Sequence, residues 1–412
     1  MNFKRVKEIE ALRLKVDDSL DYLEKQLIKI DLLQALFYHT NLKEALELCN
    51  EVIAENEGKA HYARILQIAI FHKIRILSYM GEVEKALSLS KSKVVFNYEK
   101  LTADDRYVLN QGLITCCKFS NDYLKAIALS QTIMDNDYDL LNEKNKLNYH
   151  IGLGESFHQL SFRDLAMKEF NKGLSLLGDN ENANLFLLIG RLFIGEKKYD
   201  NALENFNKAL KIELINEGRE ASKSVLYEMM ARCYAAMKEP IKMQQSMQSA
   251  KEYARLYNNP LFESITDAVA IDLLNDINEF DEAILIGEEL LQNKILLKSE
   301  RFYFSVYQTL AKSYFNIGNT NKALEYAKIY YNYHKNKGRK SNLKNVYELL
   351  ILIYEKNKDL ENLVDIQKKL IVLSEEINKE NEQNAVIQFE IKYATAEKEK
   401  ALVQQKAESI KF

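Results

Sequence analysis

The sequence predicts an all-α fold, a solenoid of about nine helix pairs that ends in a long C-terminal helix. Three observations predict it: an apolar pattern recurs every 36 to 41 residues, the apolar residues within each unit follow helical spacing, and the 412 residues include only two prolines. A repeat of this length is typical of a solenoid, in which each unit buries its apolar face against its neighbours only.

The repeat consists of an apolar anchor and, nine residues later, a small or apolar partner. The anchors are Leu36, Leu77, Cys117, Phe157, Phe193, Tyr234, Leu274, Tyr314 and Tyr354. The partners are Ala45, Ala86, Ala126, Ala166, Ala202, Met243, Ala283, Ala323 and Leu363. Because seven of the nine partners are alanine, the helix that carries the partner can closely approach the helix that carries the anchor.

Each unit is predicted to be two antiparallel helices joined by a tight turn. In the fourth repeat, Leu153, Phe157 and Leu160 recur at helical spacing, and the pattern resumes with Leu165 after a break at Ser161. The break lies four residues after the anchor, where six of the nine residues are types that favour turns or a left-handed backbone. The nine residues at this turn position are Thr40, Gly81, Asn121, Ser161, Lys197, Lys238, Asn278, Gly318 and Lys358.

Both ends of the chain depart from the repeat. Residues 1–26 are predicted to be an N-terminal capping helix, ahead of a solenoid over residues 27–375. The alternating apolar residues that predict an amphipathic helix or helix pair there are Ile9, Leu12, Val16, Leu20, Leu23, Leu27 and Ile30. Residues 376–412 are predicted to be a marginal coiled coil, with a solvated single helix as the alternative. Its near-heptad positions are Leu373, Ile377, Ile387, Ile391, Ala394 and Ala401.

The unit resembles the tetratricopeptide repeat, in which small and aromatic residues alternate at fixed positions. The resemblance covers residues 27–375 and implies that the solenoid is a right-handed superhelix. The residues that carry it are Gly154, Phe157, Ala166 and Phe170, then Gly190, Phe193, Ala202, Phe206 and Ala209, then Ala311, Tyr314, Gly318 and Ala323. Two features depart from the family: the chain has no tryptophan, and its period is near 40 residues instead of 34.

The C-terminal stretch FEIKYATAEKEKALVQQKAE, residues 389–408, resembles a helical connector found in a class of bacterial signalling proteins. In tetratricopeptide-containing histidine kinases and helix-turn-helix regulators, such a connector follows the sensor region. The resemblance implies that this chain is the sensory part of a two-component-type signalling protein, with a possible membrane anchor in a longer parent protein. It also implies a possible homodimer through residues 376–412.

The resemblance to tetratricopeptide solenoids implies a peptide or protein ligand in the concave groove that the first helices line. The residue two before the anchor usually faces that groove, and here this column is strongly polar. Charged groups of both signs suit a peptide, whose carboxylates and amides need donors and acceptors. The alternative is that these residues only form a solvated helix face. The predicted ligand-binding residues are Arg75, Glu155, His158, Arg191, Arg232, Asp272, Asn275, Gln308 and Lys312.

The sequence gives no catalytic residues, no metal site and no cofactor site, so the chain is predicted not to be an enzyme. His150, Glu155 and His158 share one predicted helix, but their spacing is not the i, i+4 histidine pair of a zinc helix. The cysteines lack CxxC spacing and are predicted to be small buried apolar residues. They are Cys49, Cys116, Cys117 and Cys233.

Charge and composition narrow the possible partners. The net charge is only −3, which gives no general reason to bind nucleic acid or an anionic membrane. One basic cluster follows three tyrosines, and we expect it to be a solvated loop around Gly338. Its members are Lys335, Lys337, Arg339, Lys340 and Lys344, after Tyr330, Tyr331 and Tyr333. No apolar stretch reaches the ~20 residues of a membrane span, which predicts a cytoplasmic protein, with a periplasmic sensor region as the alternative.

Three functional classes stay open at this point. The first is the ligand-binding sensor of a bacterial signalling protein, which the C-terminal resemblance favours. The second is a free-standing scaffold or adaptor, which the lack of an output domain in this sequence favours. The third resembles the peptide-responsive tetratricopeptide regulators of Gram-positive bacteria, although neither an N-terminal DNA-binding domain nor a phosphatase bundle is evident here.

Overall fold

The computed structural model describes residues 3–19, 21–38, 42–80, 82–90, 102–119, 122–177, 182–216, 218–337 and 340–409. The chain divides into two compact units, residues 1–192 and residues 193–412. The helices of unit 1 are α1 (Phe3–Asp18), α2 (Tyr22–Tyr38), α3 (Leu42–Asn56), α4 (Ala63–Tyr79), α5 (Val83–Ser90), α6 (Ala103–Phe119), α7 (Tyr123–Asn136), α8 (Glu143–Gln159) and α9 (Arg163–Leu176). Helix α10 (Ala183–Gly195) spans the border between the units.

Unit 2 contains the later repeats and the C-terminal helix. Its helices are α11 (Tyr199–Ile215), α12 (Glu220–Ala236), α13 (Pro240–Tyr257), α14 (Pro260–Asp276), α15 (Phe280–Gln292), α16 (Glu300–Asn316), α17 (Thr320–Lys337), α18 (Lys340–Asn357) and α19 (Leu360–Ser409). The residues described contain no β-strand. The fold is therefore all-α, and α2 to α19 follow the predicted order of first and second helices.

The turn position is left-handed wherever the structure describes it. The backbone angle φ is positive at Ser161, Lys197, Lys238, Asn278, Gly318 and Lys358. Thr40, Gly81 and Asn121 lie outside the described residues. The three lysines are a finding that residue type did not predict, because lysine has no special tolerance for this backbone region. The position in the repeat imposes the conformation.

A repeated pair of backbone hydrogen bonds explains that conformation. In the fourth repeat, the Phe162 N–H donates to the Phe157 carbonyl over 2.9 Å, and the Ala166 N–H donates to the Phe162 carbonyl over 2.9 Å. The first bond closes the end of one helix over a left-handed residue, and the second begins the next helix. The same two bonds recur at equivalent residues in every later repeat. One residue therefore ends one helix and starts its partner.

The partners and most anchors form the core of each pair. All seven partner alanines and Met243 are buried, while Leu363 is half-buried. Gly154 shows why small residues are needed, because a Cβ atom there would lie 2.5 Å from a ring carbon of the fully buried Phe170. The predicted close contact between α8 and α9 is confirmed.

The chain ends are helical as predicted. Helices α1 and α2 form a pair, with Ile9, Leu12 and Val16 packed on the buried cluster around Leu33. Helix α19 runs through residue 375 without a break, so the predicted start of the tail at residue 376 falls inside one continuous helix. Within the described part of the chain, no helix is both long enough and apolar enough to cross a membrane. All four cysteines are buried, as predicted, and none of them forms a disulfide bond.

Candidate functional site

The predicted binding residues of unit 1 lie on the first helices α4, α8 and α10. Arg75 on α4 places its guanidinium 4.6 Å from the ring centre of Phe37. Lys118 on α6 forms a 2.8 Å ion pair with Glu155 on α8, and both side chains stay partly exposed. We call Arg75, Lys118, Glu155, His158 and Arg191 the unit 1 row. Sequence reasoning missed Lys118, although it occupies the same place after its anchor as His158 and Asn275.

His158 and Arg191 lie at the end of this row. Burial lowers the pKa of His158, and the positive charges of Arg191 and Arg163 lower it further, while Glu155 opposes the shift. The Nδ1 atom of His158 is buried and has no hydrogen-bond partner in the structure. The exposed Arg191 guanidinium is therefore accompanied by a neutral imidazole near neutral pH. The permanent positive charges here are those of Arg191 and Arg163.

The predicted residues of unit 2 form a second row on α12, α14 and α16. Arg232 lies 3.3 Å from Glu228 on the same helix. Asp276, one turn after Asp272, has a raised carboxyl pKa because its surroundings are poorly solvated and Asp272 adds a like charge. Lys312, Arg232 and Lys238 oppose that shift. We call Arg232, Asp272, Asp276 and Lys312 the unit 2 row. Its charges act on one another across three helices.

Asn275 is engaged within the fold. Its Nδ2 donates to the Thr309 carbonyl over 3.1 Å, and its Oδ1 accepts a 3.0 Å hydrogen bond from the Ser313 hydroxyl. The amide thus joins α14 to α16 and has less capacity left for a ligand. Gln308 lies half-buried on α16, one turn before Lys312. The structure brings Arg232, Asp272 and Lys312 together, but it uses Asn275 mainly to hold two first helices in register.

His150 does not join Glu155 and His158. Its Nδ1 lies 2.7 Å from Glu169 Oε2, and its Nε2 lies 2.6 Å from the Tyr138 hydroxyl. Lys172 adds a 3.0 Å ion pair to Glu169. Burial alone would raise the pKa of Glu169, but the bonds from His150 and Lys172 hold that pKa below its ordinary value. The histidine is therefore committed to a buried polar cluster between α8 and α9.

The described part of the chain also gives no metal site. No group of three or more histidine, cysteine, aspartate or glutamate side chains among the described residues is placed to hold a metal ion.

The basic cluster is partly paired. Lys340 forms ion pairs with Glu376 and Glu380, and Lys344 Nζ lies 3.9 Å from Glu348 Oε1. Gly338 and Arg339 lie outside the described residues. Two of the five cations are therefore paired with carboxylates of unit 2.

Comparison with known proteins supports the fold. No family model and no curated protein sequence matches the chain. A Rap protein solved with competence and sporulation factor is 10% identical, with a TM-score of 0.61, and the match covers 86% of this chain and 99% of that one. The quorum sensor NprR from B. thuringiensis, in its apo form, is 17% identical with a TM-score of 0.56 over 86% and 100%.

A third match is a signal-transduction ATPase with a tetratricopeptide repeat sensor from Pyrococcus horikoshii. It is 15% identical, with a TM-score of 0.52, and the match covers 83% of this chain and 54% of that one. At these identities the likeness shows the fold alone. The chain has the fold of a tetratricopeptide-like helical solenoid.

Proposed function

We propose that this chain is a non-catalytic module that binds a peptide or protein segment, and that it serves as the sensory part of a bacterial signalling protein. The observation that carries the proposal is the pair of rows on first helices, each of which presents cations and carboxylates together. An extended peptide offers the complementary set along its length.

The matched structures add support at the level of the fold. The Rap structure contains competence and sporulation factor, and NprR is described as a quorum sensor. Both resemble this chain over most of their length, which supports a binding role for the same fold. A scaffold or adaptor that holds a protein partner is the alternative use of the same rows.

Charge reversal in the rows tests the binding proposal. A phage-displayed library of random peptides is selected on the immobilised chain, and the affinity of the strongest peptide is measured by calorimetry. Charge reversal in the row that the peptide occupies, Arg191→Glu in unit 1 or Arg232→Glu in unit 2, should weaken that peptide at least about tenfold, since like charges replace a complementary contact. Lys211→Glu, a reversal at an exposed residue of α11 outside both rows, is the matched control. Unchanged affinity in both row variants would place the site elsewhere.

We further propose that α19 passes the signal on as a dimerising helix. The seam expected from sequence is not the most exposed one: Leu373 is buried, and Ile377, Ile387 and Ile391 are half-buried. The side chain of Ala401 lies outside the described residues. A different stripe, Val386, Phe389 and Tyr393, is 58%, 70% and 62% exposed at spacings of three and four. Such spacing suits a second helix.

The tail proposal is tested in the full-length chain. Phe389→Glu with Tyr393→Glu should convert a dimer to a monomer in light scattering, because paired carboxylates replace the apolar seam. Glu382→Lys with Glu390→Gln, which changes exposed charges and keeps the stripe, should leave the mass unchanged. A wild-type chain that is monomeric at every concentration contradicts the dimer step and leaves the scaffold alternative.

A further inference from the structure

A groove of about 580 Å³ opens between the second helices α13 and α15, with α14 as its floor. Its lining includes Met243, Met247, Gln248, Leu274, Glu282 and Ile286. This volume lies within the range of sites that hold small ligands or side chains. On α14, Ala270 and Leu274 face the groove, whereas Asp272 and Asp276 lie roughly half a helical turn away. The groove is therefore separate from the unit 2 row.

In the next repeat, the chain's own side chains fill the equivalent space, between the second helices α15 and α17. Forty residues after Gln248, Leu274, Glu282 and Ile286 stand Glu288, Tyr314, Lys322 and Tyr326. There Lys322 Nζ lies 4.6 Å from the ring centre of Tyr314 and 2.9 Å from Glu288. The hydroxyls of Tyr314 and Tyr326 also donate to Glu288. Two aromatic rings and one cation thus fill the space between α15 and α17.

In the repeat before the groove, a lysine again lies over an aromatic anchor. Lys242 Nζ lies 5.5 Å from the ring centre of Tyr234, the anchor of the sixth repeat. An aromatic anchor under a lysine therefore occurs at Tyr234 with Lys242 and at Tyr314 with Lys322. The seventh repeat has Leu274 and Glu282 at these two positions. The groove therefore lies at the repeat whose anchor has no ring and whose lysine position holds a carboxylate.

We propose that this groove binds a polypeptide segment in which an aromatic residue stands next to a lysine or arginine. The ring would pack on the half-buried Ile286, above the buried side chains of Leu274, Met243 and Met247. The cation would pair with Glu282, a carboxylate that has no ion-pair partner among the described residues. The guest thus supplies the side chains that the neighbouring intervals carry themselves. This site is independent of the function proposed for the two rows.

Three capped tetrapeptides serve as probes: acetyl-Gly-Tyr-Lys-Gly-amide and its Tyr→Ala and Lys→Glu analogues. Ligand-observed NMR and calorimetry on the full chain should show the Tyr-Lys peptide binding at least about tenfold more tightly than either analogue. Glu282→Lys should reverse the charge preference, so that the Tyr-Glu peptide binds more tightly. Equal affinities for the three peptides, or no binding at millimolar peptide, would overturn the proposal.

A second variant fills the groove from within. Leu274→Tyr with Ile286→Tyr and Glu282→Lys restores the side chains of the next interval, so the peptide should be excluded and the melting temperature should not fall. Binding that survives in this variant would overturn the proposal. If the variant does not fold, Glu282→Gln alone must reduce the preference for lysine over glutamate at least about threefold. Lys211→Glu, at an exposed residue that does not line the groove, should leave this peptide's affinity unchanged.

Discussion

The fourth and eighth repeats solve one packing problem with different chemistry. Seven residues before the anchor and three after the partner, the fourth repeat has His150 and Glu169, and the eighth has Tyr307 and Tyr326. The first pair is a 2.7 Å contact between side chains that are 2% and 7% exposed. The second pair is two half-buried rings with centres 5.7 Å apart. Both join the first helix of a repeat to its second helix.

The two repeats also differ in side-chain volume at a neighbouring pair of positions. Gly154 faces Phe170 in the fourth repeat, whereas the eighth has Ala311 and Ala327, both fully buried. The anchor, the partner and the left-handed turn are common to both repeats. A residue at one of these positions can therefore be exchanged only together with its partner. The loss of stability from a single substitution should depend on which residue occupies the partner position.

The largest difference is expected when one member of the buried His150–Glu169 pair is removed. Glu169→Ala leaves His150 and Lys172 without their carboxylate in a buried setting, which should lower the free energy of unfolding by about 3 kcal/mol. Tyr326→Phe, at the equivalent position, removes only a 3.3 Å hydroxyl contact to Glu288 and should cost about 1 kcal/mol or less. Urea unfolding followed by circular dichroism measures both. Similar losses would show that the two pairs are equivalent after all.

A smaller effect is expected from the glycine of the fourth repeat. Gly154→Ala introduces the residue that the eighth repeat has, but it meets the Phe170 ring and should destabilise by about 2 kcal/mol. Gly152→Ala is the matched control on the same helix, because its Cβ would be no closer than 3.8 Å to Lys118 Nζ. That control should be neutral, or stabilising by up to about 1 kcal/mol. Thermal melting of the two variants decides the matter, and equal melting temperatures would refute the volume argument.

The sequence predicted the parts of the fold that repeat. The anchors, the alanine partners and the helix pairs follow from spacing alone, because each interaction is local and recurs nine times. The lysines at the turn position show a limit of residue type, since Lys197, Lys238 and Lys358 adopt φ of 59°, 61° and 57°. The turn's hydrogen bonds dictate that conformation.

The sequence did not predict the polar contacts between helices. Glu169 lies 19 residues from His150, and Lys118 lies 37 from Glu155, so each pair depends on how two helices meet. One feature of the sequence does indicate the open groove. In unit 2, Leu274 is the single anchor without an aromatic ring, and a comparison of intervals along the chain would have marked it.

The smallest effect expected from the comparison is a dependence of stability on pH that only the fourth repeat contributes. Because the folded-state pKa of Glu169 lies below its ordinary value, the pair stabilises the fold fully above the pKa of an unfolded glutamate, about 4.3. That contribution is lost as the pH falls through the folded-state pKa, where the carboxylate takes up a proton. Urea midpoints of the wild type and of Glu169→Gln, measured from pH 6 to pH 3, should therefore converge in acid. Parallel curves over that range would mean that the charge on Glu169 does not stabilise the repeat, and that its neutral hydrogen bonds are equivalent to the tyrosine pair.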